Sequence, residues 1–514
     1  MNDRRTFIKL PGKSAIGATG VAGSAEQSSP LGSAEASDPS NPLAAMARSL
    51  HQEHDYAPQV DGKLPQELRG TLYRNGPGLF ERNNVRRRHL LDGDGMIQAL
   101  DVDGGIVRYR NRFVRTDKFV AEECAGRFLF PTWSTLAPGG WLRNIGYPAK
   151  SQAGVTPVLR DGKLLAFDDF AMPYALDPDS LQTVGEFRPG GATAFSSYNA
   201  HTKIDGENGD WILFGQDYGR HMTVNVLIIG RDGAVKSRLS EKVPRYTYLH
   251  DCFVTARYVV FNLHALNFSP YLMLLGLRST IDSFTWTPQE GNLLLVLDKN
   301  RVEAPRYIEA PAAFMWHSLN AYERGESIVA EFVGYDDPDH FLGSEAWLAT
   351  IMQGRSGKAV HPGTIRRYVI DLKQNRVNQE ILAHESYEFP FVNPHRLGHR
   401  YRNGYFTYSA RAALQDTGIA RMDMLSGRRE LFDFGHNFLV GEPVFAPRPG
   451  VSFSGDEATE EGWLLSQVFD LTAQKSFFAV FDAAHVADGP IARVLLEHHV
   501  PISFHGCWRM QATG

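Results

Sequence analysis

VLRDGKLLAFDD, residues 158–169, is two apolar runs on either side of the pair Asp161-Gly162. Asp-Gly suits the two left-handed positions of a two-residue hairpin turn, so the stretch reads as strand, tight turn, strand. The same pattern recurs in DVDGGIVRYRNRFV (101–114), KIDGENGDWILFG (203–215), LIIGRDGAVKSRL (227–239) and MLSGRRELFDF (424–434). In each, a glycine-containing turn separates segments rich in β-branched or aromatic residues. From about residue 56 to the end the pattern is uniform, and long helical periodicity is nearly absent. So many short strands predict an all-β chain, and a β-propeller is the natural closed design because radial repetition leaves few exposed strand edges. The spacing alone does not count the blades.

The rest of the composition bounds the function. The chain has 514 residues, 43% hydrophobic and 22% charged, with a net charge of −5. That is ample material for a large core and is not basic enough to suggest nucleic acid as a partner. No apolar run reaches the eighteen residues or so of a membrane-spanning helix. Residues 1–40 are a low-complexity tail, and 41–514 are read as one domain, with PLAAMARSL (42–50) as a short amphipathic helix near its start. In the tail, Arg4 and Arg5 precede Thr6, Phe7, Ile8 and Lys9, and Ala34-Glu35-Ala36 offers small residues for cleavage. This reads as a twin-arginine export signal and a periplasmic location, with a cytoplasmic, membrane-peripheral one as the alternative.

HLLDGDGM (89–96) invites a calcium-loop reading. Counted from Asp92, an EF-hand loop would need oxygen ligands at positions 1, 3 and 5, glycine at 6 and glutamate at 12. Only Asp92 and Asp94 comply; Met96, Ile97 and Asp103 do not. The stretch therefore reads as a tight turn using left-handed glycines, and His89, Asp92 and Asp94 are not proposed as ligands.

Four of the eighteen histidines stand in one kind of context, at the edge of a strand-like run: His201, His250, His317 and His505. Their separations of 49, 67 and 188 residues exclude a shared helix or hairpin. A propeller could bring them to one axis, where four imidazoles would suit iron, zinc, copper or nickel. On spacing alone, a strand histidine is more often a hydrogen-bonded structural residue. His498 and His499, read as adjacent on a strand, face opposite sides, and His395 and His399 lie in a loop.

At these histidines the chain resembles the carotenoid cleavage oxygenase family, and within it the bacterial apocarotenoid oxygenases. The matching segments run in family order: GTLYRNGPGLFE (70–81), HLLDGDGMIQAL (89–100), FVRT (113–116), GGWL (139–142), YLHDCFVT (248–255), HSLNAYE (317–323), GEPVFAPRPG (441–450) and FHGCW (504–508). The resemblance implies a seven-bladed propeller carrying non-haem Fe(II), Fe(2+), on its axis, with His201, His250, His317 and His505 as ligands. It implies O2-dependent cleavage of a conjugated double bond into two carbonyl products, such as retinal-like aldehydes. Glu388 and Glu442 match carboxylates that orient the histidines, and Asp169 stands where glutamate is usual. Aspartate is one methylene shorter, so its histidine is expected to shift or to bond through water. Val155 matches the small residue beside the open side of the iron, where an apolar group would limit access and keep water away.

Two features bear on the substrate. Stilbene-cleaving relatives resemble one another in a lysine just before that carboxylate, and here the residue is Asp168, which would repel a phenolate. This favours a carotenoid or apocarotenoid, with a stilbenoid or phenylpropanoid as the alternative. Residues 269–281 contain the apolar run Pro270, Tyr271, Leu272, Met273, Leu274, Leu275 and Leu277. By periodicity this is equally a core element or an exposed patch. The resemblance implies a tunnel mouth that makes peripheral membrane contact to collect a lipophilic polyene. A monomer is expected.

Overall fold

The computed structural model describes residues 42–146, 150–410, 414–451 and 461–511. The export motif, Arg4-Arg5 with Ala34-Glu35-Ala36, lies outside them. Seven antiparallel sheets of four to six strands form the blades of a propeller. In the stretch that opened the reading, Thr156–Arg160 pairs with Lys163–Phe167, and Arg160 faces Lys163 across the turn. Asp161 at φ 50° and Gly162 at φ 70° occupy the two left-handed positions, as that turn requires.

The third blade shows why the middle strands are so apolar. Trp211–Tyr218 and Met222–Ile229 are buried along most of their length because both faces pack on neighbouring blades. The outer strand Val235–Lys242 alternates between exposed and half-buried positions, with one face toward solvent. The core is accordingly a set of apolar layers between blades. Ile212 and Phe214 pack on Val259 and Phe261 of the next sheet, and Leu213 and Trp211 on Phe167 of the previous one.

The ring is closed by both ends of the chain. The last strand, His505–Met510, pairs with Arg69–Leu79 and forms the inner edge of the first blade. Gln59–Gly62 pairs with Ala492–Leu495 and forms the outer edge of the last. Loops and short helices cover one end; among them Asp117–Ala125 is capped by Thr116, whose hydroxyl accepts from the Phe119 N–H, and is stopped by Gly126 at φ 61°. The stretch expected as an amphipathic helix near residue 42 is a 3₁₀ helix, Pro42–Ala47.

The turn expected in HLLDGDGM is not there. Leu90–Asp92 is a 3₁₀ turn and Asp94–Asp103 is a strand, while Gly93 has φ −74° and Gly95 has no positive φ. The glycines serve close approach instead: a Cβ on Gly95 would sit 2.3 Å from the Ala153 carbonyl oxygen, and one on Gly93 2.6 Å from the Phe80 ring. Both aspartates are buried acceptors. Asp92 takes the Ser134 N–H at 2.9 Å and the Ser134 and Thr135 hydroxyls at 2.5 and 2.6 Å. Asp94 pairs with Lys118 and with Arg82. The segment ties the cover to the first blade.

Candidate metal centre

The innermost strands of four blades each deliver one histidine to the axis. His201 precedes Lys203–Ile204, His250 precedes Phe253–Val254, His317 lies within Phe314–Arg324, and His505 opens the last strand. All four are buried, and one nitrogen from each lies within 4.8 Å of all the others. Ring centroids stand 4.4 Å apart for His201 and His505 and 4.7 Å for His317 and His505. Burial, then the neighbouring imidazoles, push His201 and His505 well below the ordinary histidine range. Both are therefore neutral at physiological pH, as a metal ligand must be.

The other three blades supply carboxylates. Glu388, on the inner strand Ser386–Val392, places Oε2 2.7 Å from His317 Nδ1. Glu442, just ahead of Val444–Pro447, places Oε1 2.8 Å from His505 Nδ1 and takes the Gly506 N–H on Oε2 at 2.7 Å. Asp169, at the exit of Lys163–Phe167, places Oδ2 2.7 Å from His250 Nδ1. The shorter side chain therefore reaches its histidine directly, without a bridging water. Phe170 adopts φ 59° and Phe389 φ 47°, so the residue after each of these two carboxylates is left-handed and turns it inward. For a phenylalanine that conformation costs on the order of 1–3 kcal/mol and persists only where the surroundings impose it.

Each Nδ1 contact fixes a tautomer in which Nδ1 carries the proton and Nε2 is free to ligate. The Nε2 atoms of His201 and His317 are buried with no hydrogen-bond partner, which is costly in a protein unless something else takes the lone pair. Four imidazoles around one point fit a divalent transition metal. Among the described residues no carboxylate oxygen belongs to this cluster.

Tyr248 and Arg74 went unnoticed in the sequence. The Tyr248 hydroxyl donates to Asp169 Oδ2 at 2.7 Å, and the tyrosine stands two residues before His250, the spacing that puts side chains on one face of an extended chain. Arg74 is buried and donates to the Glu442 carbonyl at 2.8 Å and to the Ser503 hydroxyl at 2.8 Å. The histidines excluded from the axis are occupied elsewhere. His498 stacks on His54 at 4.0 Å, and His499 Nε2 lies 3.2 Å from the Arg48 carbonyl. Neither is on a strand, so the expected strand placement was wrong, although the conclusion that they avoid the axis stands.

A cavity opens beside the cluster, lined by His250, His317 and His505 and walled by apolar groups including Trp133, Trp316 and Phe389. Val155 lines it too, half-buried and held by its N–H to the Phe167 carbonyl at 3.0 Å. Asp168 also faces it, but Oδ2 takes the Gln152 N–H at 2.8 Å and Oδ1 the Asp169 N–H at 2.9 Å. Burial pushes its carboxyl up to about 6.

The run at 269–281 is neither core strand nor core helix. Pro270–Leu274 is a short helix with Tyr271, Leu272, Leu274, Leu275 and Leu277 exposed, Tyr271 at 74%. Met273 packs inward on the core that includes Trp133. A second segment, missed in the sequence, adjoins it: Trp141, Leu142 and Ile145 are exposed, and the Gly146 N–H donates to the Leu274 carbonyl at 2.8 Å. The Ile281 N–H donates to the carbonyl of Trp133, which connects the patch to the cavity wall.

Residues 47–510 match the family described as retinal pigment epithelial membrane protein. An apocarotenoid-15,15'-oxygenase from Synechocystis is 30% identical over 480 residues, spanning 90% of this chain and 94% of that one. An isoeugenol monooxygenase from Pseudomonas nitroreducens is 26% identical over 480 residues, 88% and 94% of the two chains. Among solved structures, a cobalt-substituted Synechocystis ACO superposes with a TM-score of 0.85 at 27% identity, covering 91% of this chain and 98% of that one.

Proposed function

Because the chain belongs to the carotenoid cleavage oxygenase family, we propose that it holds Fe(II) on His201, His250, His317 and His505 and cleaves a conjugated C=C bond of a carotenoid or apocarotenoid. O2 supplies one oxygen atom to each alkene carbon, giving two carbonyl products. The observation that carries this reading is the four-histidine cluster, three of whose members, His250, His317 and His505, line an apolar cavity. When bound, Fe(II) supplies the activation of O2 that an alkene alone does not provide.

The chain's own residues do the rest. Trp133, Trp316 and Phe389 present an apolar wall to the polyene, and their rings bind it by burial of apolar surface. Val155 narrows the approach and keeps water from the open side of the centre. Asp169, Glu388 and Glu442 hold the proton on Nδ1 of His250, His317 and His505, so that Nε2 stays available.

A phenolic substrate would call for a cation or free acceptor near the ring oxygen. Asp168 supplies no cation, and each of its oxygens already accepts a backbone N–H group. The nearby Lys118 is committed to Asp94 and Glu122. The exposed helix Pro270–Leu274 and the Trp141–Ile145 segment form a surface suited to rest on lipid and pass the substrate inward. The Arg4-Arg5 motif supports export to the periplasm, which mass spectrometry of the mature N-terminus would check.

The test is anaerobic Fe(II) reconstitution followed by oxygenation with an apocarotenal and, separately, with resveratrol. Cleavage of the apocarotenal into two carbonyl products is expected. Cleavage of the stilbene alone would overturn the polyene reading.

A further inference from the structure

Leu348, Phe389, Leu414 and Phe504, which line the metal-side cavity, also line a second, smaller cavity. Its remaining walls are mostly apolar, Met46, Phe469 and Ile502 among them, with polar atoms on four side chains: Trp347, whose buried Nε1–H has no partner, Gln467, Ser503 and Asp416. Gln467 and Ser503 are spent. The Ser503 hydroxyl and the Gln98 amide donate to Gln467 Oε1 at 2.8 and 3.0 Å, and Gln467 Nε2 donates to the Pro501 carbonyl at 3.4 Å.

Asp416 is different. It is 2% exposed, and Oδ2 accepts the Thr407 hydroxyl at 2.7 Å. Oδ1 is buried with no partner. A buried acceptor left open costs about 1–3 kcal/mol, and such a group in a native fold calls for an explanation. The position is also firmly held. The Val440 N–H donates to the Asp416 carbonyl at 2.8 Å, and the Thr407 hydroxyl is shared with the Glu388 carbonyl at 2.9 Å. Glu388 in turn carries His317.

We propose that Asp416 is a specificity-determining subsite at the far end of the polyene cavity, one that accepts a hydrogen bond from a hydroxyl on the substrate's end group. The proposal rests on the polyene reading of the site. A hydroxyl fits better than an aldehyde for a simple reason: a carboxylate can only accept, and a hydroxyl can donate to it. Burial pushes the Asp416 carboxyl up to about 7, against the pull of the Thr407 hydrogen bond. A hydroxyl can pair with either protonation state, whereas a carbonyl can pair only with the acid. Because Thr407 connects Asp416 to the strand that positions His317, the anchored end sets how far along the chain the bond above the metal lies. The cleaved bond is then counted from the hydroxylated end.

Binding to metal-free protein tests this without turnover. Quenching of tryptophan fluorescence is titrated with two apocarotenals that differ only in a ring hydroxyl; Trp133, Trp316 and Trp347 line the cavities and report occupancy. The parent should bind the hydroxylated polyene at least about tenfold more tightly, since a site built around a substrate hydroxyl rejects the analogue that lacks it. Asp416→Asn keeps an acceptor and should retain the preference, whereas Asp416→Leu should abolish it while leaving the plain polyene bound. If both polyenes bind the parent equally, or Asp416→Leu weakens both alike, Asp416 holds something other than the substrate and the subsite is overturned while the polyene reading stands. If neither polyene binds the parent, the polyene reading falls and this proposal with it.

Discussion

Asp169→Asn isolates what a carboxylate does behind a metal-binding histidine, because the exchange changes almost no volume. Asp169 serves three donors: His250 Nδ1 and the Tyr248 hydroxyl on Oδ2, each at 2.7 Å, and the Ala200 N–H on Oδ1 at 2.8 Å. An amide has one oxygen and one NH2 group to meet them. If the oxygen stays on Ala200, the NH2 faces His250, whose Nδ1 must then accept. The ring proton moves to Nε2, the nitrogen that would bind the metal. If the amide is turned over, the oxygen serves His250 but the NH2 opposes the Ala200 N–H, leaving a buried donor stranded at about 1–3 kcal/mol. The first arrangement loses metal affinity and the second loses stability. Loss of such a partner lowers metal affinity by about 10- to 100-fold, which is about 1.4–2.7 kcal/mol. Competition for Fe(II) or Co(II) against a chromophoric chelator reads the affinity, and thermal melting of the metal-free variant reads the stability. A variant with parental affinity and a parental apo melting point would refute the argument, because the tautomer of His250 would then not depend on Asp169.

Gly95→Ala places a methyl 2.3 Å from a backbone oxygen that cannot yield, so a loss of at least about 1–3 kcal/mol is expected from overpacking; an unchanged denaturation midpoint would show that the strand at Asp94–Asp103 is free to move. Asp205 is the place to look for a pH effect. Burial would raise its carboxyl, but His399 Nε2 at 2.9 Å and the N–H groups of Glu207 and Asn208, each at 3.1 Å, hold it down to about 2. Its folded value lies below the unfolded one, near 3.9. Its contribution is thus present above about pH 4 and lost as the pH falls toward about 2. Asp205→Asn should therefore be less stable than the parent at neutral pH and should converge with it in acid. A difference that stays constant from neutrality down to acid would contradict this.

How much of this was visible in the amino acids depends on how local each signal is. The hairpin at Asp161-Gly162 was plain, since its turn type needs only two neighbouring residues. The histidine cluster was not plain from spacing, because its members come from four blades and converge only when the ring closes; the family segments singled them out. HLLDGDGM misled for the opposite reason. Asp-Gly is a turn signal wherever it occurs, and nothing in eight residues shows that Ser134, Thr135, Lys118 and Arg82 are waiting for the carboxylates. The apolar run at 270–277 was visible, but its exposure and its companion segment at 141–145 were not, since short runs do not distinguish core from surface. Asp416 gave no sign at all: its unpaired oxygen follows from the packing of a cavity.

Closing the ring with the last strand also sets an order of events. His317 stands 188 residues ahead of His505, so three of the four imidazoles are made long before the fourth. A chain emerging from the ribosome N-terminus first can stack most of its sheets yet cannot offer a complete coordination sphere. Capture of a metal by all four imidazoles would thereby be deferred until His505–Met510 seats against Arg69–Leu79. A nascent or C-terminally clipped chain would lack the fourth imidazole, and with it the means to hold a redox-active ion in the complete site.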